Sequence, residues 1–174
     1  MGIGIQICGL NGCGKSTLGK ALAERMNFHF IDIENLYFSR TNIDEPYTNP
    51  KSRTEVEKLL AEEISKHPDF VFAAVKGDYG DDIIPLYDYI VVIEVPKDIR
   101  SQRVRNRSYQ KFGNRILVGG DLHSQEEAFF QMVDSREDDY IANWLQKVSS
   151  PIIRVDGTKT VEDNVEFILQ LIDR

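Results

Sequence analysis

The sequence predicts an α/β fold: a three-layer sandwich in which a five-stranded parallel sheet carries helices on both faces. Two observations lead to this prediction. Short apolar segments alternate along the chain with longer segments whose apolar residues recur at helical spacing. The short segments are almost continuously apolar, as strands are when a parallel sheet is covered on both faces. Because no repeat or composition shift divides the 174 residues, we expect one domain over 1–174.

Each element follows from its own local signal. Apolar runs place strands at 3–8, 28–33, 70–75, 89–95 and 152–155. Helical spacing places helices at 15–26, 51–66, 96–107, 124–148 and 161–172. Two of these helices begin with a capping box, in which a serine precedes a glutamate by three residues: Ser52–Glu55 and Ser124–Glu127. The connection at 108–123 contains three glycines and is predicted to be a loop.

Composition excludes several classes of protein. The net charge of −7 argues against a nucleic-acid binder, which needs a basic surface. No apolar run approaches the roughly 20 residues that span a membrane, and the chain does not begin with a signal region, so we expect a cytoplasmic protein. Cys8 and Cys13 are too few and too close to form a disulfide framework, and Cys8 is predicted to lie in the core of the first strand.

The segment 9–17, GLNGCGKST, fits the phosphate-loop pattern G-x-x-x-x-G-K-[ST] at every fixed position. A predicted strand precedes it and a predicted helix follows it, which is the context that the motif requires. Lys15 is expected to reach the β- and γ-phosphates of a nucleotide, Ser16 to bind Mg²⁺ and Thr17 to support the α-phosphate side. The residues expected to cradle the phosphates are Gly9, Asn11, Gly12, Cys13 and Gly14.

Two acids follow the second strand, at the edge of the sheet where α/β proteins bind ligands. Asp32 and Glu34 are two residues apart, so an extended backbone would direct both carboxylates to one side. Asp32 suits Mg²⁺, usually through water, or it accepts the proton of an attacking hydroxyl; both alternatives stay open. Glu34 is a candidate substrate-binding residue, and an ordinary solvated acid is equally compatible with the sequence.

The segment 97–115 is strongly cationic: it holds seven of the chain's 21 basic residues and one acid. Arg103 and Arg107 are four residues apart and share a helix face. Arginine binds phosphate bidentately and stabilises the charge of a phosphoryl group in transfer. Arg136 falls on the apolar stripe of the helix predicted at 124–148, where a charge needs a partner. We expect Arg136 to point into a polar site rather than to extend outward.

Four further residues are candidates for binding the substrate. Gly77 follows the third strand and allows a close approach by a ligand, while Asp78 suits Mg²⁺ or a substrate hydroxyl. Arg40 and Arg53 follow the second strand and are candidate clamps for an anionic acceptor. Surface positions are equally compatible with the sequence for these four.

Together these motifs resemble the nucleoside-monophosphate-kinase-like branch of the P-loop phosphotransferases, which includes adenylate kinase and shikimate kinase. The resemblance spans almost the whole chain, and the phosphate loop is its most specific part. It implies the strand order 2-3-1-4-5, ATP and Mg²⁺ as cofactors, a short lid at 108–123 and an acceptor-binding subdomain at 33–67.

Individual positions carry this resemblance. Arg103 and Arg107 look like the arginine pair that opens the lid, and Arg136 like the arginine that returns after it. The loop Asp156-Gly157-Thr158 is similar to the adenylate kinase loop that packs against adenine, and Asp32-x-Glu34 looks like the acidic pair of shikimate kinase. The segment after the third strand, Lys76-Gly77-Asp78-Tyr79, departs from both families: it lacks the proline and arginine of one and the glycine run of the other.

The sequence therefore predicts a kinase that transfers the γ-phosphoryl group of Mg-ATP to a small-molecule acceptor. Its predicted catalytic residues are Lys15, Asp32, Arg103, Arg107 and Arg136. The alternative is an ATP-binding regulatory or switch protein with weak hydrolysis. A kinase-fold protein that acts on RNA or on another protein is a third option, against which the acidic charge argues. The acceptor and the oligomeric state stay open.

Overall fold

Five parallel strands form one sheet in the order β2-β3-β1-β4-β5, which confirms the predicted topology. The computed structural model describes residues 2–38 and 49–172. Within these residues the strands are β1 (Gly4–Cys8), β2 (His29–Asp32), β3 (Phe70–Ala73), β4 (Tyr89–Glu94) and β5 (Ile152–Asp156). Strand β1 lies in the middle, paired with β3 on one side and β4 on the other. Its carboxyl end therefore lies near the centre of the ligand-binding edge.

Helices cover both faces of the sheet. Those in the described part of the chain are α1 (Lys15–Met26), α2 (Ile33–Tyr37), α3 (Arg53–Lys66), α4 (Lys97–Phe112), α5 (His123–Ser135), α6 (Asp139–Leu145) and α7 (Val161–Ile172). One core lies between the sheet and the helices α1 and α7, around Ile7, Leu22 and Ile168. A second core lies on the opposite face, where α3 and α6 cover Phe72 through residues such as Leu60 and Trp144. None of these helices is long and apolar enough to cross a membrane.

The cationic helix α4 is longer than predicted. It continues through residues 108–112, which were expected to be a loop, and a short 3-10 turn at Gly113–Ile116 follows it. No glycine or proline interrupts the helix before Gly113, whose φ of 57° ends it. Ser108 lies one turn beyond Val104 and is buried on the same side. A small separate core stabilises this extension: Val104, Ile116, Phe130 and Val133.

The single helix predicted over 124–148 is wrong, because two helices occupy this stretch. Helix α5 ends at Ser135, Arg136 has an extended conformation (φ −76°, ψ 120°), and α6 begins at Asp139. The predicted capping box at Ser124 is also absent: α5 begins one residue earlier, at His123, and no side chain caps it. The box at Ser52 is confirmed, since the Ser52 side chain and that of Glu55 each accept the other's backbone N–H.

The two serines provide a matched test of helix capping. A side-chain cap contributes about 1 kcal/mol, which corresponds to roughly 2–4 °C in melting temperature for a protein of this size. We therefore expect Ser52→Ala to lower the melting temperature by about that amount. Ser124→Ala, which removes no cap, should leave it almost unchanged. Thermal unfolding followed by circular dichroism measures both, and equal losses in the two variants would contradict the assignment of the caps.

Candidate active site

The phosphate loop joins β1 to α1 and depends on two left-handed glycines. Gly12 and Gly14 have φ values of 85° and 97°, which residues with a Cβ atom rarely adopt. A Cβ atom at Gly12 would lie 2.4 Å from the Arg100 carbonyl oxygen, so the loop touches the backbone of α4 there. A Cβ atom at Gly14 would meet no described atom within 4 Å, so this side of the loop is open to a ligand.

The first turn of α1 presents the polar side chains of the motif. Lys15 is the first helical residue, and its ammonium group donates a hydrogen bond to the Leu10 carbonyl oxygen at 3.3 Å. Ser16 and Thr17 are exposed beside it. Cys13 is buried under the loop, and its Sγ atom lies 4.0 Å from the Lys15 Nζ atom. The start of a helix with exposed hydroxyl groups favours an anionic ligand.

Arg103 connects the phosphate loop to the loop after β5. Its guanidinium donates to the Gly157 carbonyl oxygen at 3.2 Å and to the Gly12 carbonyl oxygen at 3.4 Å. These two loops enclose a cavity of about 310 Å³, to which Arg107 also contributes. The remaining residues around this cavity are Cys13, Gly14, Thr17, Leu18, Ile93, Lys159, Val161 and Asn164.

The loop after β5 is fixed by short-range hydrogen bonds. The Asp156 carboxylate accepts from the Thr158 hydroxyl at 2.6 Å and from the Thr158 N–H at 2.8 Å, and these bonds lower the pKa of Asp156. Asn164 donates to the Asp156 carbonyl oxygen at 2.9 Å. Gly157 sits tightly against the phosphate loop, since a Cβ atom there would lie 2.9 Å from the Cys13 carbonyl oxygen. The predicted adenine loop and the phosphate loop are therefore neighbours.

Arg136 points at the phosphate loop. Its guanidinium donates a hydrogen bond of 2.8 Å to the Asn11 side-chain oxygen and lies 5.0 Å from the centre of the Tyr140 ring. The break between α5 and α6 makes this possible, because a residue inside a continuous helix at this position would face the core. The structure thus brings Arg136 together with Arg103 at the same loop.

The acidic pair after β2 does not share one side of an extended strand, because α2 begins at Ile33. The Asp32 carboxylate caps this helix by accepting the Glu34 N–H at 3.0 Å. The Glu34 side chain instead lines a second cavity, of about 460 Å³, together with Arg107. Its other lining residues are Phe38, Ser108, Lys111, Phe112, Gln125, Glu126, Phe129 and Met132.

The segment after β3 is packed against protein at Gly77. A Cβ atom there would lie 2.9 Å from the side chains of Gln6, Tyr87 and Trp144, and Tyr87 donates to the Gly77 carbonyl oxygen at 3.0 Å. The prediction that a ligand approaches closely at Gly77 is therefore wrong, since side chains already fill this space.

Arg53 and Asp78 lie beside each other in this region. The Arg53 guanidinium donates to the Asp78 carbonyl oxygen, lies 3.9 Å from its carboxylate and also binds Glu57 at 2.9 Å. Asp78 pairs in addition with Lys76 at 3.4 Å. Arg40 lies outside the described residues. The predicted acceptor residues therefore lie in two places: Glu34 lines the cavity of about 460 Å³, and Arg53 and Asp78 form an ion-pair cluster.

The chain matches a family model over two thirds of its length. The model of an AAA domain (AAA_18) covers residues 5–120, from β1 through the whole of α4. The protein belongs to this family. The matched range contains the phosphate loop, Asp32 and the arginines of α4.

Two relatives align over almost the whole chain. The uncharacterized protein YqaC of Bacillus subtilis (strain 168) is 27% identical over 173 residues, covering 95% of this chain and 94% of its own length. The adenylate kinase isoenzyme 6 homolog of Caenorhabditis elegans is 27% identical over 173 residues, covering 96% and 87% respectively. Among solved structures, shikimate kinase from Bacteroides thetaiotaomicron shares the fold, with a TM-score of 0.63, 21% identity and 99% coverage of both chains. The resemblance to P-loop kinases that the motifs predicted is confirmed, and no single member is matched.

Sequence reasoning missed Lys76 and Tyr140, which connect the segment after β3 to the predicted residue Arg136. Lys76 and Arg136 both contact the Tyr140 ring, with the Lys76 ammonium 4.1 Å from its centre. Tyr140 has the spacing of the apolar stripe of the helix predicted at 124–148, a pattern that indicates a core residue rather than a site residue. The only signal for Lys76 was its position directly after the third strand, next to Gly77.

Tyr87 makes the stability of this region sensitive to alkaline pH. Burial raises the pKa of its phenol well above the ordinary value of 10. Tyr87 ionises near pH 10 in the unfolded chain but stays protonated in the folded chain. The contribution of Tyr87 to the free energy of unfolding is therefore complete below pH 10 and is lost as the pH rises further. We expect the melting temperature of Tyr87→Phe to fall less than that of the wild type between about pH 9 and about pH 11.

Tyr109→Phe is the control for this measurement, since Tyr109 is exposed. Differential scanning calorimetry at a series of pH values gives the comparison. If Tyr87→Phe and Tyr109→Phe lose stability in parallel, Tyr87 does not cause the alkaline effect.

Proposed function

We propose that this protein transfers the γ-phosphoryl group of Mg-ATP to a small-molecule acceptor. The observation that carries the proposal is the convergence of Arg103 and Arg136 on the phosphate loop, where they bind Gly12 and Asn11. Arg103 precedes the predicted lid segment 108–123 in sequence and Arg136 follows it. Binding a nucleotide requires no such pair, whereas phosphoryl transfer requires positive charge around the migrating group. The named kinases among the similar proteins support the same reaction class.

The phosphate loop and α1 would bind the triphosphate. Lys15 contacts the β- and γ-phosphates, and Thr17 supports the α-phosphate side. Ser16 and Asp32 would hold Mg²⁺, for which their hard oxygen atoms are suitable donors and which neutralises phosphate charge when bound. Asp32 also fits the role of a base for the acceptor hydroxyl, and both roles are compatible with its place at the end of β2.

The nucleoside of ATP would occupy the cavity of about 310 Å³ between the phosphate loop and the loop after β5. Gly157 lines this space, and the hydrogen bonds from Thr158 to the Asp156 carboxylate hold its loop in place. Arg103 then covers the cavity from the side of α4. The likeness of the loop Asp156-Gly157-Thr158 to the adenylate kinase loop that packs against adenine favours adenine as the base bound here.

The acceptor would bind in the cavity of about 460 Å³ beside Glu34 and Arg107. The lid segment 108–123 closes over it in this proposal, and the subdomain 33–67 forms its other wall. The small core under α4 and the ion pair of 2.7 Å between Arg115 and Asp121 would let the lid move as a unit. Closure excludes water and so suppresses hydrolysis of ATP. Arg53 and Asp78 would bind the acceptor only after the ion pair between them opens.

Acceptor-dependent release of ADP tests the proposal. Nucleotides, nucleosides and small hydroxy compounds are screened with Mg-ATP, and at least one should stimulate turnover. Lys15→Ala should lower the stimulated rate by about 10²–10³-fold, because one electrostatic contact to the transition state is lost. Lys20→Ala is the matched control, since Lys20 is an exposed lysine of the same helix.

Tight binding of ATP without turnover above the Lys15→Ala rate, for every acceptor class, would contradict a kinase. It would instead support the regulatory alternative, a nucleotide-binding switch with weak hydrolysis.

Arg103 provides a second test through the affinity for ATP alone. Hydrogen bonds to charged groups contribute about 1.5–3 kcal/mol, so we expect Arg103→Ala to weaken ATP binding by about 10- to 100-fold. Arg25→Ala removes an equal charge from the far end of α1, where Arg25 binds Glu162 and Glu166, and should bind ATP like the wild type. Isothermal titration calorimetry measures both. If Arg103→Ala binds ATP with wild-type affinity, Arg103 only holds the two loops together and does not contact the nucleotide.

A further inference from the structure

The edge of the sheet opposite the phosphate loop carries a cluster of imidazole and carboxylate groups. His29 is the first residue of β2, Glu63 lies in the last turn of α3, and His67 caps the end of α3. They include two of the chain's three histidines. Because the strands are parallel, the start of β2 and the phosphate loop lie at opposite edges of the sheet. The cluster is therefore separate from the proposed active site.

These side chains already lie close together. The His29 Nε2 atom is 2.9 Å from the Glu63 Oε2 atom, and the two imidazole rings stack with their centres 3.8 Å apart. One ligand atom from each of the three residues falls within 4.8 Å of the others. Glu63 and His67 are four residues apart, and the His67 N–H donates to the Glu63 carbonyl oxygen at 3.0 Å, so the backbone fixes their relative position.

We propose that His29, Glu63 and His67 bind a transition-metal ion of the zinc class. Two imidazoles and one carboxylate form a ligand set that zinc accepts, with a fourth position left for water. Imidazole nitrogen favours zinc, copper or nickel over Mg²⁺ and Ca²⁺, which prefer oxygen. The proposed site therefore favours a zinc-class ion, whereas the proposed nucleotide site favours Mg²⁺.

Small side-chain movements would complete the site. Tetrahedral zinc with bonds of about 2.0–2.1 Å holds its ligand atoms roughly 3.3 Å apart. Donors at the upper limit of 4.8 Å must therefore approach each other by about 1.5 Å, whereas His29 Nε2 and Glu63 Oε2, now 2.9 Å apart, must separate by about 0.4 Å. The stacked rings differ by 19° and must tilt, because each nitrogen lone pair lies in its ring plane. His67 is exposed, and about one third of the His29 and Glu63 side chains is open to solvent, so the three side chains have room to move.

The ion pair that would compete with a metal ion for the Glu63 carboxylate is weak. Its other carboxylate oxygen lies 3.9 Å from the Lys66 ammonium, and the Lys66 side chain is 62% exposed. An exposed ion pair at this distance contributes little, so it does not prevent metal binding. The bound ion would tie the start of β2 to the end of α3. These two elements bracket the segment 33–67, so the ion would stabilise the folded state on both sides of this segment.

Zinc titration of the full chain, freed of any affinity tag and stripped of metal, tests the inference. Calorimetry should show one zinc ion bound per chain. At a free zinc concentration one hundred times the dissociation constant, the melting temperature should rise by roughly 5–10 °C. His67→Ala and Glu63→Gln should each weaken binding at least about tenfold, and millimolar Mg²⁺ should not compete. His123→Ala, which removes the third histidine, should bind zinc like the wild type.

A nuclear magnetic resonance measurement on the wild type avoids any effect of substitution on folding. The Hε1 signals of His29 and His67 should shift on saturation with zinc, while that of His123 stays in place as an internal control. Absence of saturable binding, a shift confined to His123, or equal displacement by Mg²⁺ would overturn the proposal.

Discussion

The nucleotide end of this molecule depends on how closely the phosphate loop approaches two other backbones. A side chain at Gly12 would collide with the Arg100 carbonyl of α4, and one at Gly157 would collide with the Cys13 carbonyl. Arg103 then binds the carbonyl groups of both glycines. The loop after β1, the start of α4 and the loop after β5 are thus held as one unit. A displacement of α4 must therefore change the shape of the cavity between the phosphate loop and the loop after β5.

Helix α4 connects this unit to α5 through Asp134. Asp134 of α5 accepts a hydrogen bond of 2.6 Å from Ser101 and pairs with Arg105 at 3.1 Å, and the Ser101 hydroxyl and Arg105 lower the pKa of its carboxyl. Helix α5 then ends where Arg136 reaches back to Asn11. The stretch from Arg103 in α4 to Arg136 after α5 is consequently anchored at the phosphate loop by both of its terminal arginines. In the proposed reaction this geometry couples closure of the lid to the position of the arginines.

The sheet and the phosphate loop could be predicted because their signals are local and agree with one another. Strand patterning, the glycine spacing and the Ser52 cap all act within a few residues. The end of α5 could not be predicted, since no glycine or proline marks it and the extended Arg136 is stabilised by Asn11, 125 residues away in sequence. The absent cap at Ser124 has a similar cause: α5 begins at His123, where contacts with the 3-10 turn fix the chain, as in the hydrogen bond between His123 and Ile116. Tertiary contacts override local preference in both cases.

The cluster of charged groups around the Tyr140 ring shows the same limit more strongly. Its charged groups come from separate segments, and the Tyr140 ring brings two of them together, Lys76 after β3 and Arg136 after α5. Asp78 balances Lys76 and also pairs with Arg53 from the start of α3. No fixed spacing relates these positions, so no motif could encode them. A phosphate loop is recognised from one stretch of sequence because one stretch builds it, whereas this cluster exists only once the sheet has placed the three segments side by side.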